Sequence, residues 1–400
     1  MPRSGPLRIA MATNTQTFDW VSQDFLRDPY SQYKALRSSD PIHFNEARGG
    51  FMLTRYNDMV GVLRNDDDFS AERAGPEIQG DVPKSMLGSD PPDHTRLRTL
   101  VNKAFTPRSI RQLSARIQEL VDGLFDDVEG RGEMEAITDF AYPLPITVIA
   151  EMLGVPAQDR DFFRDASQKI AVALGPIEDM QVALRALEGR NQLVEYFNAL
   201  IPKRKADPRD DLLTALLAVE DDGDVLSHGE LLAMLLLLLV AGHETTVNLI
   251  GNGLLALLRH PDQFERLRTE EGIGRQAIEE LLRYDSPVQM TGRIAKRDVV
   301  IGGQPVKAGQ FVSTIVASAN RDPEVFEDPD TLNLTRDPCN HLSFSAGIHF
   351  CLGAQLARLE GQIALTTLVR RFPTLQLATE DLRWRPAPIL RGLEALPVTF

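Results

Sequence analysis

"FSAGIHFCLGAQLARLE", residues 344–360, holds one of only two cysteines in a 400-residue chain. Small residues surround it: Ser345, Ala346 and Gly347 before, Gly353 and Ala354 after. Beyond Cys351, apolar residues recur at Leu352, Leu356, Leu359 and Ile363. This helical spacing runs to about Arg371, where Phe372-Pro373 stops it. Cys351 is therefore placed at a helix start, where backbone N–H groups and the helix dipole favour a thiolate. Gly347 and Gly353 allow something flat to approach the backbone closely. No second soft ligand stands at zinc spacing, and a lone thiolate suits the axial ligand of a haem. Cys339, in "DPCNH", has neither helix start nor glycines around it and reads as structural.

The rest of the composition is that of a globular chain, 43% hydrophobic and 25% charged. Acids outnumber bases and the net charge is −14, which disfavours nucleic acid and anionic membrane as partners. The N-terminal stretch has no apolar core of signal-peptide length. The most apolar run, "LLAMLLLLLVAG" at 231–242, falls short of the roughly 20 residues a membrane span takes, so no membrane anchor is expected. Two cysteines and no export signal point to a reducing, cytoplasmic setting.

Helical patterns dominate, with strand patterns in two places. "PIHFN" and "GGFMLTRY" form the first; "RDVVIGGQPVKAGQFVSTIVASANRD" is the second, with a hairpin expected at Gly302-Gly303 and a further run after Ala308-Gly309. One helix stands out. Ser227 followed by Glu230 is a capping box, and the pattern then runs without proline to His260-Pro261. That is about 30 residues, or roughly 45 Å. Its middle carries "AGHETT", residues 241–246, an acid and two threonines where everything else is apolar. Conflicts of this kind tend to mark function.

Phe344, Gly347, His349, Cys351 and Gly353 together resemble the phenylalanine–glycine–histidine–cysteine–glycine signature of the cytochrome P-450 superfamily, in its soluble bacterial class. One departure stands inside the motif: Ser345 occupies a place where the family usually has glycine. The resemblance implies a mainly α fold with a smaller β-rich part and a long central helix over a buried haem b. It makes Cys351 the thiolate ligand of the iron. It extends over residues 18–400 as a single haem-thiolate domain, leaving 1–17 as an N-terminal tail.

Further stretches match the same family. In "EELLRY", Glu280 and Arg283 stand at i, i+3, a pair that is usually no more than a surface ion pair. Here it resembles the family's glutamate–x–x–arginine motif, with Arg336 of "LNLTRDP" as the downstream arginine holding the cysteine loop; Asn333 stands where aspartate is frequent. His94 and Arg98 in "DPPDHTRLRTLVNKAFTP" share a helical face. With Arg293 and His349 they match the family's four donors to the haem propionates, two buried carboxylates that need charge-assisted partners. Glu244 and Thr245 match its acid–alcohol pair, which delivers protons during dioxygen activation. Taken alone, Thr245 reads first as a threonine bonded back to a helix carbonyl. Ala241 and Gly242 are small enough to let dioxygen and substrate approach. His243 either joins the pocket or points away.

The resemblance implies a monooxygenase that hydroxylates or epoxidises a hydrophobic small molecule, such as a terpenoid, fatty acid or polyketide. The chain lacks a flavin domain and a complete dinucleotide fingerprint, so a ferredoxin and its reductase are the implied electron donors. Lys103, Arg108 and Arg358 are candidate contacts for an acidic ferredoxin. A monomer is expected. The pocket is assigned by analogy to the stretch around Met86 and Leu87, to Val240 and Ala241, to Val288 and Met290, and to Ile389, Leu390 and Leu393. Arg391 either meets an acidic substrate group or is solvated. Two other functions remain open at this point: a non-catalytic haem-fold recruitment protein, and a peroxide-driven peroxygenase. Retention of Glu244 and Thr245 counts against both.

Overall fold

The long helix is His228–Leu258, 31 residues, and its start is set by its cap. The Ser227 hydroxyl accepts from the Glu230 N–H at 3.3 Å, and the Glu230 carboxylate accepts from the Ser227 N–H at 2.8 Å. Pro261 opens the next helix, Pro261–Thr269. The computed structural model describes residues 19–46, 49–72, 83–171, 180–221 and 223–400; the expected 1–17 tail lies outside the described residues.

Apolar residues surround the first half of the long helix, so it is buried on nearly every face. By length and hydropathy alone it is a candidate membrane span, but 72% of its most apolar window is buried inside the protein, as a core helix should be. Helices Pro143–Met152, Met180–Ala206, Gly274–Tyr284 and Ala354–Arg371 pack around it. Leu239 and Leu254 are completely enclosed, and truncating either to alanine should cost about 2–5 kcal/mol. Glu230 is also tied outside its own helix. It receives the guanidinium of Arg96 from helix Asp93–Ala104, and Arg96 reaches Asp224 at 3.2 Å as well.

Among the described residues, ten strands form the β-rich part: β1 Ile42–Asn45, β2 Gly50–Leu53, β3 Phe69–Ser70, β4 Glu133–Glu135, β5 Thr291–Ala295, β6 Val299–Ile301, β7 Gln304–Val306, β8 Phe311–Thr314, β9 Gln376–Leu377 and β10 Pro397–Thr399. The largest sheet runs β1-β2-β8-β5-β3, with β2 and β8 parallel and the other pairs antiparallel. The expected hairpin is β6–β7, turned by Gly302 at φ 51° and Gly303 at φ 89°, both in the region that favours glycine. The third expected run is β8. It ends at Thr314, where the chain turns into the short helix Val316–Ala319, so the "VASAN" part of the strand pattern is helical. β3, β4, β9 and β10 are two or three residues long and exist only through long-range pairing, which leaves no local pattern to read.

This large sheet has its own apolar core, built from Ile42, Leu53, Met59, Val312 and neighbours, beside the main helical core. It presents Arg293 on β5.

Candidate active site

Cys351 lies two residues before Gly353, the N-cap of helix Ala354–Arg371. The loop ahead of it is folded by its own backbone. Ser345 N–H donates to Leu342 O at 2.8 Å, Phe350 N–H to Gly347 O at 3.1 Å, and Cys351 N–H to Phe344 O at 2.9 Å. Gly347 has φ 71°, and a Cβ there would collide with the Leu63 carbonyl oxygen, so no other residue fits. Ser345 has φ 63°, a left-handed conformation that costs a non-glycine residue about 1–2 kcal/mol. The bend that glycine usually makes is thus kept, under strain. Burial pushes the Cys351 thiol up; N–H groups of Gly353 and Ala354 and the charges of Arg98 and Arg358 pull the other way, and burial wins.

Around this sulfur the structure collects cationic and donor groups from separate segments. His94 is 2% exposed, and neither ring nitrogen has a hydrogen-bond partner among the described residues. Its ring lies 4.3 Å from that of His349. Burial lowers the His349 pKa to about 3, with the charges of Arg293 and His94 acting in the same direction. Burial also lowers Arg98, against the opposing pull of Cys351. Arg293 is 7% exposed and donates to Gly292 O at 2.8 Å. An orphaned ring N–H amid mutually repelling donors is costly unless an anion accepts from it. No described residue beyond its chain neighbours lies within 4 Å of a Cβ built on Gly353, so the backbone two residues past the sulfur is open on that side. One thiol, four convergent donors for two carboxylates and this opening fit a haem.

On the long helix, Ala241 is exposed and Val240 is buried beside it. Thr245 Oγ1 donates to the Ala241 carbonyl at 2.9 Å. Gly242 faces away: a Cβ there would meet Ile149 at 3.1 Å, so its smallness serves packing against helix Pro143–Met152 and not access to the site. His243 also points away. Its Nδ1 bonds the Leu239 carbonyl at 2.7 Å, its Nε2 lies 3.2 Å from Ser167 Oγ, and its ring meets Tyr142 edge-on. Glu244 is 1% exposed. Its Oε2 accepts from Arg385 Nη1 at 2.9 Å, and its Oε1 lies 3.5 Å from His243 Nε2. Burial alone would raise this carboxyl, but His243 and Arg385 outweigh burial and hold it at about 2.

Within the glutamate–arginine motif, Glu280 and Arg283 are fully buried and joined by two bonds of 2.6 and 2.7 Å. Arg336 adds a third to Glu280 at 3.0 Å and donates to the carbonyls of Glu327, Asp328 and Thr331. Asn333 takes part through its backbone N–H, 2.9 Å from Glu280, so its side chain is not what the motif uses. The Cys339 thiol donates to Glu280 at 3.7 Å, a structural role. A second network has no signal in the sequence. Glu279 accepts from Arg358 at 2.5 and 2.9 Å and from His341 at 3.1 Å, and the Arg358 guanidinium lies over the Phe344 ring. Two of the three expected docking cations are therefore engaged. Arg358 is committed to Glu279, and Lys103 pairs with Asp221 at 2.6 Å; Arg108 is exposed.

Two of the expected pocket stretches adjoin. Val288 bridges Leu390, and Gln289 N–H donates to Ile389 O at 2.8 Å. Leu87 is exposed and Met86 buried, while Met290 and Leu393 belong to the main core. Arg391 is neither solvated nor open to a substrate. It is 5% exposed, lies 3.5 Å from the Trp384 ring centre and pairs with Asp285 at 2.7 Å. Arg385 and Asn248 are bonded into the network around Glu244 although no motif marks them. The spacing Glu244, Asn248, Asn252 at i, i+4, i+8 is the available signal, since it puts three polar residues on one face of a buried helix.

Known proteins resemble this chain along nearly its whole length. The family model for cytochrome P-450 matches residues 46–383. Cytochrome P-450 107B1 of Saccharopolyspora erythraea is 45% identical, over 94% of this chain and 95% of that protein. Vitamin D(3) 25-hydroxylase of Pseudonocardia autotrophica is 43% identical, over 97% and 98%. The solved structure of the Bacillus subtilis 168 bacillaene polyketide synthase cytochrome P-450 PksS superposes with a TM-score of 0.90 at 40% identity, covering 96% of this chain and 99% of that one.

Proposed function

We propose, from the premise that this chain belongs to the cytochrome P-450 family and is a monooxygenase, that it hydroxylates or epoxidises a hydrophobic small molecule using electrons from a ferredoxin and its reductase. The observation that carries this reading is the convergence of His94, Arg98, Arg293 and His349 beside Cys351. A vitamin D(3) hydroxylase and a polyketide synthase enzyme among the relatives support a greasy substrate of secosteroid, terpenoid, acyl or polyketide type. Residues 18–400 would act as one catalytic domain.

Cys351 would hold the haem iron, and His94, Arg98, Arg293 and His349 its propionates. The haem, when bound, supplies activation of dioxygen and transfer of one oxygen atom to a C–H or C=C bond. Gly347 and Ser345 shape the loop that carries the sulfur, and the N–H groups of Gly353 and Ala354 steady a thiolate. Ala241 leaves room over the site, and Thr245 can turn its hydroxyl from the Ala241 carbonyl to a water. Glu244 stands one residue away as a carboxylate that would relay protons, accepting each from outside before handing it inward. Val288, Ile389 and Leu390 would line the substrate side.

Retention of Glu244 beside Thr245 favours this reading over a recruitment protein or a peroxide-driven enzyme. Two measurements test it. The reduced, carbon-monoxide-bound protein should show the red-shifted Soret band of a thiolate-ligated haem, lost in Cys351→Ala; persistence of the band in the variant would overturn the ligand assignment. With surrogate ferredoxin and reductase, a panel of terpenoids, fatty acids and macrolide-like compounds should yield oxygenated products. Tight binding without turnover across the panel would favour the recruitment reading.

A further inference from the structure

Among the described residues, Glu244 is held from outside its own helix by a single side chain. Arg385 comes from the C-terminal segment, where its backbone N–H donates to Gly392 O at 2.9 Å. Its Nη1 binds Glu244 Oε2 at 2.9 Å and its Nη2 binds Asn248 Oδ1, one turn further along the long helix. The family match ends at residue 383, so Arg385 lies outside it. The Arg385 side chain keeps 29% of its exposure while Glu244 keeps 2%, so the guanidinium spans from accessible space to the buried acid. Gly392 is packed against the same junction: a Cβ there would strike both Asn248 Oδ1 and Arg385 Nη2.

We propose that Arg385 is a positioning residue for oxygen activation: it keeps Glu244 ionised and aimed along the long helix beside Thr245. This rests on the reading of Glu244 as the acid that serves Thr245. A carboxylate this deeply buried takes up a proton unless a charge-assisted partner holds it. Other groups face it too. His243 on the same helix contributes Nε2 at 3.5 Å, and Tyr142 and Ser167 stand behind His243, with Arg164 over the Tyr142 ring at 4.7 Å. Of these, His243 is already bonded to Leu239 O and Ser167. Arg385 is the cation whose fork ties Glu244 and Asn248 together, fixing the carboxylate's direction as well as its charge. The tether also links proton supply to the segment that carries Ile389 and Leu390, so an occupant of the pocket and the acid share one support.

The test uses the haem-loaded protein and three variants, Arg385→Gln, Arg385→Lys and Glu244→Gln, with the reduced carbon-monoxide spectrum confirming intact haem ligation. Infrared difference spectra report the carboxylic acid C=O stretch, and coupling of NADPH consumption to product is followed against pH. In Arg385→Gln a protonated-carboxyl band should appear at neutral pH, vanish when Glu244→Gln is added, and accompany a loss of coupling of about tenfold. Coupling in that variant should recover as pH rises, since the acid then ionises. Arg385→Lys should keep Glu244 ionised and coupling within about threefold of wild type. An Arg385→Gln protein with Glu244 still ionised and wild-type coupling sinks the proposal while leaving the acid–alcohol reading intact. A Glu244→Gln protein with wild-type coupling sinks that reading and the proposal with it.

Discussion

The guanidinium carbon of Arg358 sits 4.5 Å from the centre of the Phe344 ring, while its nitrogens grip Glu279. Arg358, expected as a docking cation, braces the first residue of the cysteine loop. Removing it strips Glu279 of its doubly bonded partner and Phe344 of its cover. Arg358→Ala should lower stability by about 1–3 kcal/mol, read from urea unfolding of the haem-loaded protein. Combining it with Glu279→Gln should cost less than the sum of the two, because the pair acts as a unit. Strict additivity would show that the contact contributes nothing.

Ser345 carries strain that glycine would not. Ser345→Gly relieves a left-handed φ of 63° but loosens the unfolded chain. The net expectation is a gain of up to about 1 kcal/mol, seen as a higher thermal midpoint. A lower midpoint would mean that the serine hydroxyl makes a compensating bond.

Glu280 receives Arg283, Arg336, the Asn333 N–H and the Cys339 thiol. Glu280→Ala leaves the wholly buried Arg283 without its carboxylate, a loss of about 3–5 kcal/mol. Arg336→Ala leaves the inner pair whole and should cost clearly less. Denaturation midpoints of the two variants check the order; equal losses would refute it.

Thr245 separates stability from chemistry. Among the described residues its hydroxyl bonds only to its own helix, at Ala241, so Thr245→Ala should change stability by less than about 0.5 kcal/mol. Coupling of electron use to product should nevertheless fall severalfold. Unchanged coupling would remove Thr245 from proton delivery.

Two glutamates set an acid limit. Glu244 and Glu279 both fold with pKa values of about 2, below the ordinary 4.5, despite burial that opposes this. Groups with depressed folded pKa values stabilise fully above their unfolded pKa and lose that stabilisation as pH falls toward the folded one. Stability should therefore decline between about pH 4.5 and pH 2. Glu279→Gln should flatten that decline; an unaltered slope would point to other groups.

Much of this architecture is legible because local signals agree with one another. The capping box at Ser227 and the proline at 261 bracket the long helix, and the glycine pair at 302–303 announces its hairpin. The site is legible in a different way. His94 and Arg98 share one helical face, but nothing local joins that pair to Arg293 and His349, and before the fold only the resemblance does. Arg385 and Glu244 lie 141 residues apart, and no local rule brings an arginine after "RW" to an acid in a leucine-rich helix. Arg391 misleads for a physical reason: a charged side chain in a sequence looks free, and its partner, like those of Lys103 and Arg358, is visible only once the chain has folded.

The capping acid of the long helix has a second life. Glu230 both starts that helix and receives Arg96, which shares a helix with His94 and Arg98. A start signal for one helix is thereby a spacer between two parts of the protein. Over evolutionary time the two positions should not drift independently: among relatives, chains that give up the acid at 230 should also tend to give up the arginine at 96.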